Sequence, residues 1–157
     1  MNTGNELALN DFLVKATQRV LERCDRLATV SSMEDGILRQ YLTHEHATAN
    51  RQVSDWMVCA GMSTHQDSVG NVWGRLGPAD RPALVVGSHL DSVPDAGRYD
   101  GILGVLLGIA LAEYLKHFEV QIGLPLEVVG FGDEEGTRFA RTLMTSKAIV
   151  GSWDTEW

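Results

Sequence analysis

Three short segments of the sequence carry side chains that could bind a metal ion or move a proton. His89 is followed two residues later by Asp91, Asp100 lies nine residues further on, and Glu134 and Glu135 are adjacent. Imidazole and carboxylate groups are both competent ligands for divalent metals. In a His-x-Asp pair, the histidine can bind the metal while the aspartate holds the second ring nitrogen and fixes the tautomer. The set therefore predicts a divalent-metal site.

The two glutamates can take different roles if they lie on an irregular loop. One can bind a metal while the other accepts a proton from water. Asp100 is expected at the N-cap of a helix, where the helix dipole favours its ionised form, and its two oxygens could bridge two metals. Each feature has an ordinary structural explanation, since a loop Glu-Glu pair is commonly solvated and an Asp before a helix is commonly a cap. The combination favours a metal site.

The elements around these residues predict where they meet. Residues 83–87 and 126–131 are apolar and β-branched, which is typical of strands buried on both faces. Residues 102–118 are apolar on nearly every side and predict a buried helix between them. Strand, helix and strand form a βαβ unit whose strands pair in parallel. All three groups follow the strands' carboxyl ends, where ligands bind in open parallel sheets. The predicted class is α/β, with a mostly parallel sheet and helices on its faces.

The first half of the chain predicts two helices and a hairpin. Apolar spacing predicts a helix over residues 9–27 and a second over 44–60, with Thr43 as its N-cap. Two short strands are expected at 62–67 and 72–76, joined by a tight turn that contains Gly and Asn. The intervening residues before the second helix are expected to form a loop.

The spacing of the remaining candidate residues does not match other common catalytic motifs. His44 and His46 do not form an HExxH motif, because position 48 is Thr, and both histidines are expected to be exposed. Ser88 is not in a GxSxG elbow, and the chain has no P-loop.

Length and charge narrow the class of protein. The 157 residues suit one domain. Thirteen basic and 21 acidic residues give a net charge of −8, which disfavours binding to nucleic acid or to an anionic membrane. Cys24 and Cys59 are expected to be reduced core residues. The longest apolar run, residues 101–112, is too short to span a bilayer, so a cytoplasmic protein is expected.

The motifs together resemble the M20 metallopeptidase superfamily. Within it, they are similar to the amidase branch of allantoate amidohydrolases, N-carbamoyl-L-amino-acid hydrolases and β-ureidopropionases, with a leaning toward the first. The resemblance covers nearly the whole chain. It rests on Gly87–Val93, Gly97–Gly101 and Phe131–Phe139, with weaker matches at Asp35–Gly36, Trp56–Met62 and Val69–Val72.

The resemblance implies a role for each candidate residue. His89 would bind one of two divalent metals, commonly manganese or zinc, Glu135 would bind the other, and Asp100 would bridge them. Glu134 would be the general base, and Asp91 would support His89. Members of this branch hydrolyse a ureido or amide C–N bond in a small-molecule substrate.

The family's enzymes are much longer than this chain. By the resemblance, further histidine ligands and a lid or dimerisation domain would follow residue 157. Residues 1–157 are therefore expected to be the N-terminal portion of a zinc-peptidase-like, di-metal catalytic domain, inactive alone and without recognisable substrate-binding residues. The alternative is a non-catalytic module that associates with itself or with a partner.

Overall fold

The computed structural model describes residues 3–154 and residue 156. Helices and strands alternate in the second half of the chain, as the α/β class requires. In chain order the elements are α1 Thr3–Ala28, α2 His44–Cys59, β1 Ser63–Gln66, β2 Val72–Leu76, β3 Leu84–His89, α3 Ile102–His117, β4 Leu126–Phe131 and α4 Met144–Ile149.

The four strands form one mixed sheet in the order β1-β2-β4-β3. β3 and β4 pair in parallel, with His89 opposite Phe131, so the predicted βαβ unit is confirmed. β1 and β2 form the predicted antiparallel hairpin, and β2 is also antiparallel to β4. The expectation of a mostly parallel sheet is therefore wrong, because a hairpin rather than a second crossover supplies the other two strands.

The prediction that β3 is buried on both faces is also wrong. β3 is an edge strand, and Leu84 and Val85 are 46% and 50% exposed. β4 is its only strand neighbour in the part of the chain that the structure describes. β4 itself lies between two strands, and its residues Val128 and Val129 are fully buried.

The predicted helices are confirmed with small changes in their bounds. α1 begins at Thr3 rather than at residue 9, and it packs against the apolar α3. The six-residue α4 has too little periodicity to be predicted from sequence. None of the described helices is both long and apolar enough to cross a bilayer. Cys24 is buried as expected, whereas Cys59 is exposed at the end of α2.

The N-terminus of α2 is fixed by its predicted cap. The Thr43 side chain accepts a hydrogen bond from the backbone N–H of His46, as its predicted N-cap role requires.

The expectation that His46 is exposed is wrong, since only 3% of it is accessible. Its ring lies on the inner face of α2 and packs edge-on against Tyr41, with ring centroids 5.5 Å apart.

Arg39 is a buried guanidinium that ties the loop before α2 to the end of β3. Its Nε donates to the carbonyl of Leu90 at 2.6 Å, and its Nη1 donates to the carbonyls of Leu27 and Val30. Its backbone N–H donates to the Ser92 hydroxyl at 2.9 Å. Burial lowers the pKa of Arg39 to about 10, and Asp91 partly offsets that effect.

Substitution of Arg39 by Met should destabilise the fold strongly. Three carbonyls each lose a hydrogen bond from the buried guanidinium, so we expect a loss of about 3–5 kcal/mol in the free energy of unfolding, measured by urea denaturation. Arg51→Met is the matched control, because Arg51 is exposed and donates to the side chain of Thr48. The control should change stability by less than about 0.5 kcal/mol. Equal losses in the two variants would contradict the role given to Arg39.

His46 should make the fold sensitive to acid. Burial, opposed by nearby Asp91 and reinforced by Arg39, lowers the pKa of His46 to about 4. The unfolded chain then binds more protons than the folded one between pH 6.5 and 4, so stability falls as the pH is lowered through that range. The shift corresponds to about 3 kcal/mol.

The measurement compares the native chain with His46→Leu by urea denaturation from pH 7 to pH 4. Subtracting the two curves removes the contribution of Asp133, whose pKa is raised to about 6 and which acts in the opposite sense. As the pH falls, the free energy of unfolding of the native chain should decrease relative to that of His46→Leu. A difference that does not depend on pH would contradict the prediction.

Candidate active site

The candidate site lies at the carboxyl ends of the two parallel strands. His89 is the last residue of β3, and the loop that carries Glu134 and Glu135 begins just after β4. One ligand atom from each of these three side chains lies within 4.8 Å of the others. Parallel pairing brings these segments together, because it places the carboxyl ends of β3 and β4 at the same edge of the sheet.

His89 has a defined tautomer. Its Nδ1 lies 3.0 Å from the backbone carbonyl oxygen of Asp91, which can only accept, so Nδ1 carries the hydrogen. The Asp91 carboxylate, at 3.6 Å, is too distant for a hydrogen bond to the same nitrogen. In the neutral ring the lone pair therefore lies on Nε2, the nitrogen that could bind a cation once the ring has lost its second proton. Burial opposes protonation of this ring, but Asp91 and Glu134 outweigh it and raise the pKa of His89 to about 9.

Asp91 holds the loop of the two glutamates. Its carboxylate is fully buried, and it accepts hydrogen bonds from the backbone N–H of Glu134 at 3.0 Å and of Glu135 at 3.2 Å. Burial opposes its ionisation, and these bonds together with His89 outweigh that effect, so the pKa of Asp91 is lowered. The sequence predicts Asp91 only as a support for His89. The structure shows in addition that Asp91 attaches the end of β3 to the loop after β4.

Asp100 lies beside His89 but is not the N-cap of α3. Gly101 occupies the N-cap, so that prediction is wrong. Gly101 has φ +67°, and a Cβ there would lie 2.5 Å from the ring of His89, so a side chain would collide with the imidazole. The Asp100 carboxylate is 49% exposed, and its Oδ1 lies 3.7 Å from Nε2 of His89.

The site places several carboxylates around the imidazole of His89. Burial and the neighbouring carboxylates of Asp100, Glu134 and Asp91 raise the pKa of Glu135, although His89 opposes them. Asp133 is fully buried, and neither of its carboxylate oxygens has a hydrogen-bond partner within the described chain. Burial and Asp91 raise its pKa to about 6. Such a set of oxygens with one free imidazole nitrogen fits a divalent cation.

Two supporting residues are absent from the sequence-based prediction. Arg39 donates to the carbonyl of Leu90, directly before Asp91. Asn71 accepts a hydrogen bond at 3.1 Å from the backbone N–H of Gly132, at the start of the glutamate loop. The sequence marks Asn71 as part of a turn and of one family match, and nothing in its local pattern indicates that its side chain reaches the loop after β4.

Comparisons with known proteins identify relatives over most of the chain. Residues 71–156 match the profile of peptidase family M28. The chain is 39% identical over 134 residues to an allantoate deiminase of Arabidopsis thaliana, covering 82% of this chain and 25% of that protein. It is 35% identical over 137 residues to an N-carbamoyl-L-amino-acid amidohydrolase of Pseudomonas sp. (strain NS671), covering 85% of this chain and 33% of the relative.

Solved structures show the same relationship. A hydantoinase/carbamoylase family amidase from Burkholderia ambifaria superposes with a TM-score of 0.81 at 30% sequence identity, over 88% of this chain and 35% of that structure. The chain therefore spans about a quarter to a third of the length of the relatives that it matches. The predicted resemblance to the amidase branch is confirmed by these relatives. With more than half of its length matching the family profile, the chain belongs to peptidase family M28.

Proposed function

We propose that this chain is the N-terminal portion of the catalytic domain of a metal-dependent amidohydrolase, which hydrolyses a ureido or amide C–N bond. The observation that carries the proposal is the convergence of His89, Glu134 and Glu135 within 4.8 Å at the ends of β3 and β4. The names of the relatives favour allantoate as the substrate, and N-carbamoyl-L-amino acids as the next candidate. We propose a cytoplasmic location, as expected from the sequence.

The proposed roles are those that the family resemblance implies, and the positions of the side chains support them. His89 would offer Nε2 to one divalent ion, Glu135 would offer its carboxylate to a second, and Asp100 would contribute its exposed carboxylate to both. When bound, these ions, manganese or zinc, supply Lewis acidity at the carbonyl of the substrate. Asp91 holds the backbone of Glu134 and Glu135, which limits movement of the main chain that carries the two carboxylates.

Glu134 is proposed as the general base. Its backbone N–H is fixed by Asp91, while its side chain is half-buried beside His89 and Glu135. From there its carboxylate can accept a proton from the attacking water and return it to the leaving nitrogen. The geometry alone also allows Glu134 to be a ligand, because it lies in the same group of three donors. Substitutions separate the two roles.

Residues 1–157 supply only two protein ligands to each ion in this scheme. Catalytic zinc sites usually have three protein ligands and one open position. We therefore propose that the rest of a longer protein completes the ligand set and supplies the substrate-binding groups. The chain alone should bind metal weakly and should not turn over substrate.

Self-association is the second candidate function, and the edge strand β3 favours it. Its outer edge is unpaired within the described chain, and Leu84 and Val85 are about half exposed. Such an edge can add a strand from another chain. Analytical ultracentrifugation combined with manganese titration of the purified chain separates the candidates, because a non-catalytic module would form a discrete oligomer and bind no manganese.

Metal binding tests the assignment of the ligands. We expect His89→Gln and Glu135→Gln each to weaken manganese binding by at least tenfold in isothermal titration calorimetry, because each removes a ligand. Glu134→Gln should leave affinity within about threefold, since a base does not hold the ion. Glu22→Gln is the control, because Glu22 is exposed on α1. A loss in Glu134→Gln equal to that in Glu135→Gln would contradict the role of Glu134 as base.

Activity tests the proposed reaction. In one experiment the isolated chain is incubated with excess manganese or zinc, and ammonia release from allantoate and hydrolysis of N-carbamoyl-L-amino acids are measured. We expect no turnover near the ordinary range of about 1–10³ s⁻¹.

In the second experiment, residues 1–157 replace the matching segment of the Arabidopsis allantoate deiminase. The chimera should release ammonia from allantoate, and the same chimera with Glu134→Gln should not. Circular dichroism and metal content verify that both chimeras are folded and loaded. A folded, metal-loaded chimera that hydrolyses neither substrate would overturn the proposed function.

A further inference from the structure

The turn between β1 and β2 is unusually well fixed for a surface hairpin. The Asp67 carboxylate accepts four hydrogen bonds, from the backbone N–H groups of Val69 and Asn71, the side-chain amide of Asn71 and the indole of Trp73. These bonds outweigh the effect of burial and lower the pKa of Asp67. The turn is therefore a rigid unit built around one ionised carboxylate.

Asp67 determines which way the amide of Asn71 points. A carboxylate only accepts hydrogen bonds, so the NH₂ group of Asn71 must face Asp67, at 2.8 Å. The carbonyl oxygen of the same amide then faces the opposite way, toward the backbone N–H of Gly132 at 3.1 Å. Asn71 is fully buried, and both ends of its amide are bonded.

The contact with Gly132 lies just beyond the end of the sheet. The β2–β4 ladder ends at Val72 opposite Gly130, so the N–H of Gly132 has no strand partner and takes the side chain of Asn71 instead. Its carbonyl accepts a hydrogen bond from the Thr145 hydroxyl. A Cβ on Gly132 would lie 2.7 Å from the ring of Tyr41. Both backbone groups of Gly132 are thus bonded in a space that admits only glycine.

Gly132 is the point from which the glutamate loop departs. The loop is held downstream by Asp91, through the N–H groups of Glu134 and Glu135, and upstream by Asn71, through the N–H group of Gly132. Two fixed points only three residues apart leave little freedom to the intervening backbone. A displacement at Gly132 must therefore move both glutamates or break their bonds to Asp91.

We propose that Asn71, oriented by Asp67, is a positioning residue that fixes the Glu134 and Glu135 carboxylates for metal binding and proton transfer through the backbone of Gly132. The inference rests on the proposed function, since it concerns the same site. It assigns a role in that site to a hairpin turn whose residues are neither ligands nor acids of the reaction.

The test compares Asn71→Ala with Trp73→Phe in the 157-residue chain. Trp73→Phe is the matched control, because it removes one bond to Asp67 but leaves the contact between Asn71 and Gly132 in place. Both variants should unfold at lower temperature than the native chain. Only Asn71→Ala should weaken manganese binding in calorimetry, by about 10–100-fold, as is typical when a group that orients ligands is lost. The control should remain within about threefold.

Amide spectra of the metal-free protein supply a readout that lower stability alone would not move. In Asn71→Ala the amide resonances of Glu134 and Glu135 should shift, although the substituted side chain contacts neither residue, and in Trp73→Phe they should not. Shifts confined to Gly132, unchanged manganese affinity in Asn71→Ala, or equal losses of affinity in the two variants would each overturn the proposal.

The two readouts also separate the inference from the proposed function. If the native chain binds no manganese, the proposed metal site fails in this chain, and the amide spectra alone decide whether Asn71 positions the glutamate loop. If the native chain binds manganese and Asn71→Ala binds it equally well, the proposed function stands and the positioning role is wrong.

Discussion

A buried carboxylate joins the two parallel strands at the point where chemistry is possible. Asp91 follows β3, is fully buried, and accepts the backbone N–H groups of Glu134 and Glu135 from the loop after β4. Strand pairing brings the two segments near each other, but it ends at His89 and Phe131. Past these paired residues, the hydrogen bonds to Asp91 hold the two loops together. The positions of the site side chains depend on these bonds.

Burying this charge requires compensation, and much of the surrounding structure supplies it. A buried carboxylate is costly unless it is hydrogen-bonded or near a positive group. Two backbone donors, the ring of His89 and the more distant guanidinium of Arg39 lie around Asp91. Arg39 in turn satisfies the carbonyl of Leu90, which directly precedes Asp91. The network thus extends from the loop before α2, through the end of β3, to the glutamates.

The sequence predicts the helices and strands better than it predicts which of their residues are buried. Continuous apolar runs identify α3 and β4, because a long apolar run favours a buried helix and a short β-branched run favours a buried strand. The exposure of β3 could not be predicted, because a β-branched run is the same on an edge and in the centre of a sheet. The burial of His46 could not be predicted either, because the absence of an HExxH motif does not indicate which face of α2 is buried.

Some residues of the candidate site can be identified from the sequence, and others cannot. His89, Asp91 and the two glutamates are identifiable because they combine chemically competent types with positions at strand ends. Asn71 is not identifiable, because its role depends on a contact between segments 61 residues apart. The Gly101 N-cap displaces Asp100 from its predicted place, since the ring of His89 leaves no room for a Cβ there.

The arrangement of charge bears on how the proposed site would bind a cation. Asp91, Asp100, Asp133, Glu134 and Glu135 crowd one edge of the sheet, and His89 is the imidazole among them. Like charges at short range raise the pKa of Glu135 and contribute to that of Asp133, so without a cation the site favours proton uptake. A divalent ion reverses that preference, because it binds the ionised forms. The repulsion in the free site would therefore contribute to the driving force for metal binding, and the bonds of Glu134 and Glu135 to Asp91 limit how far their backbone can move to relieve it.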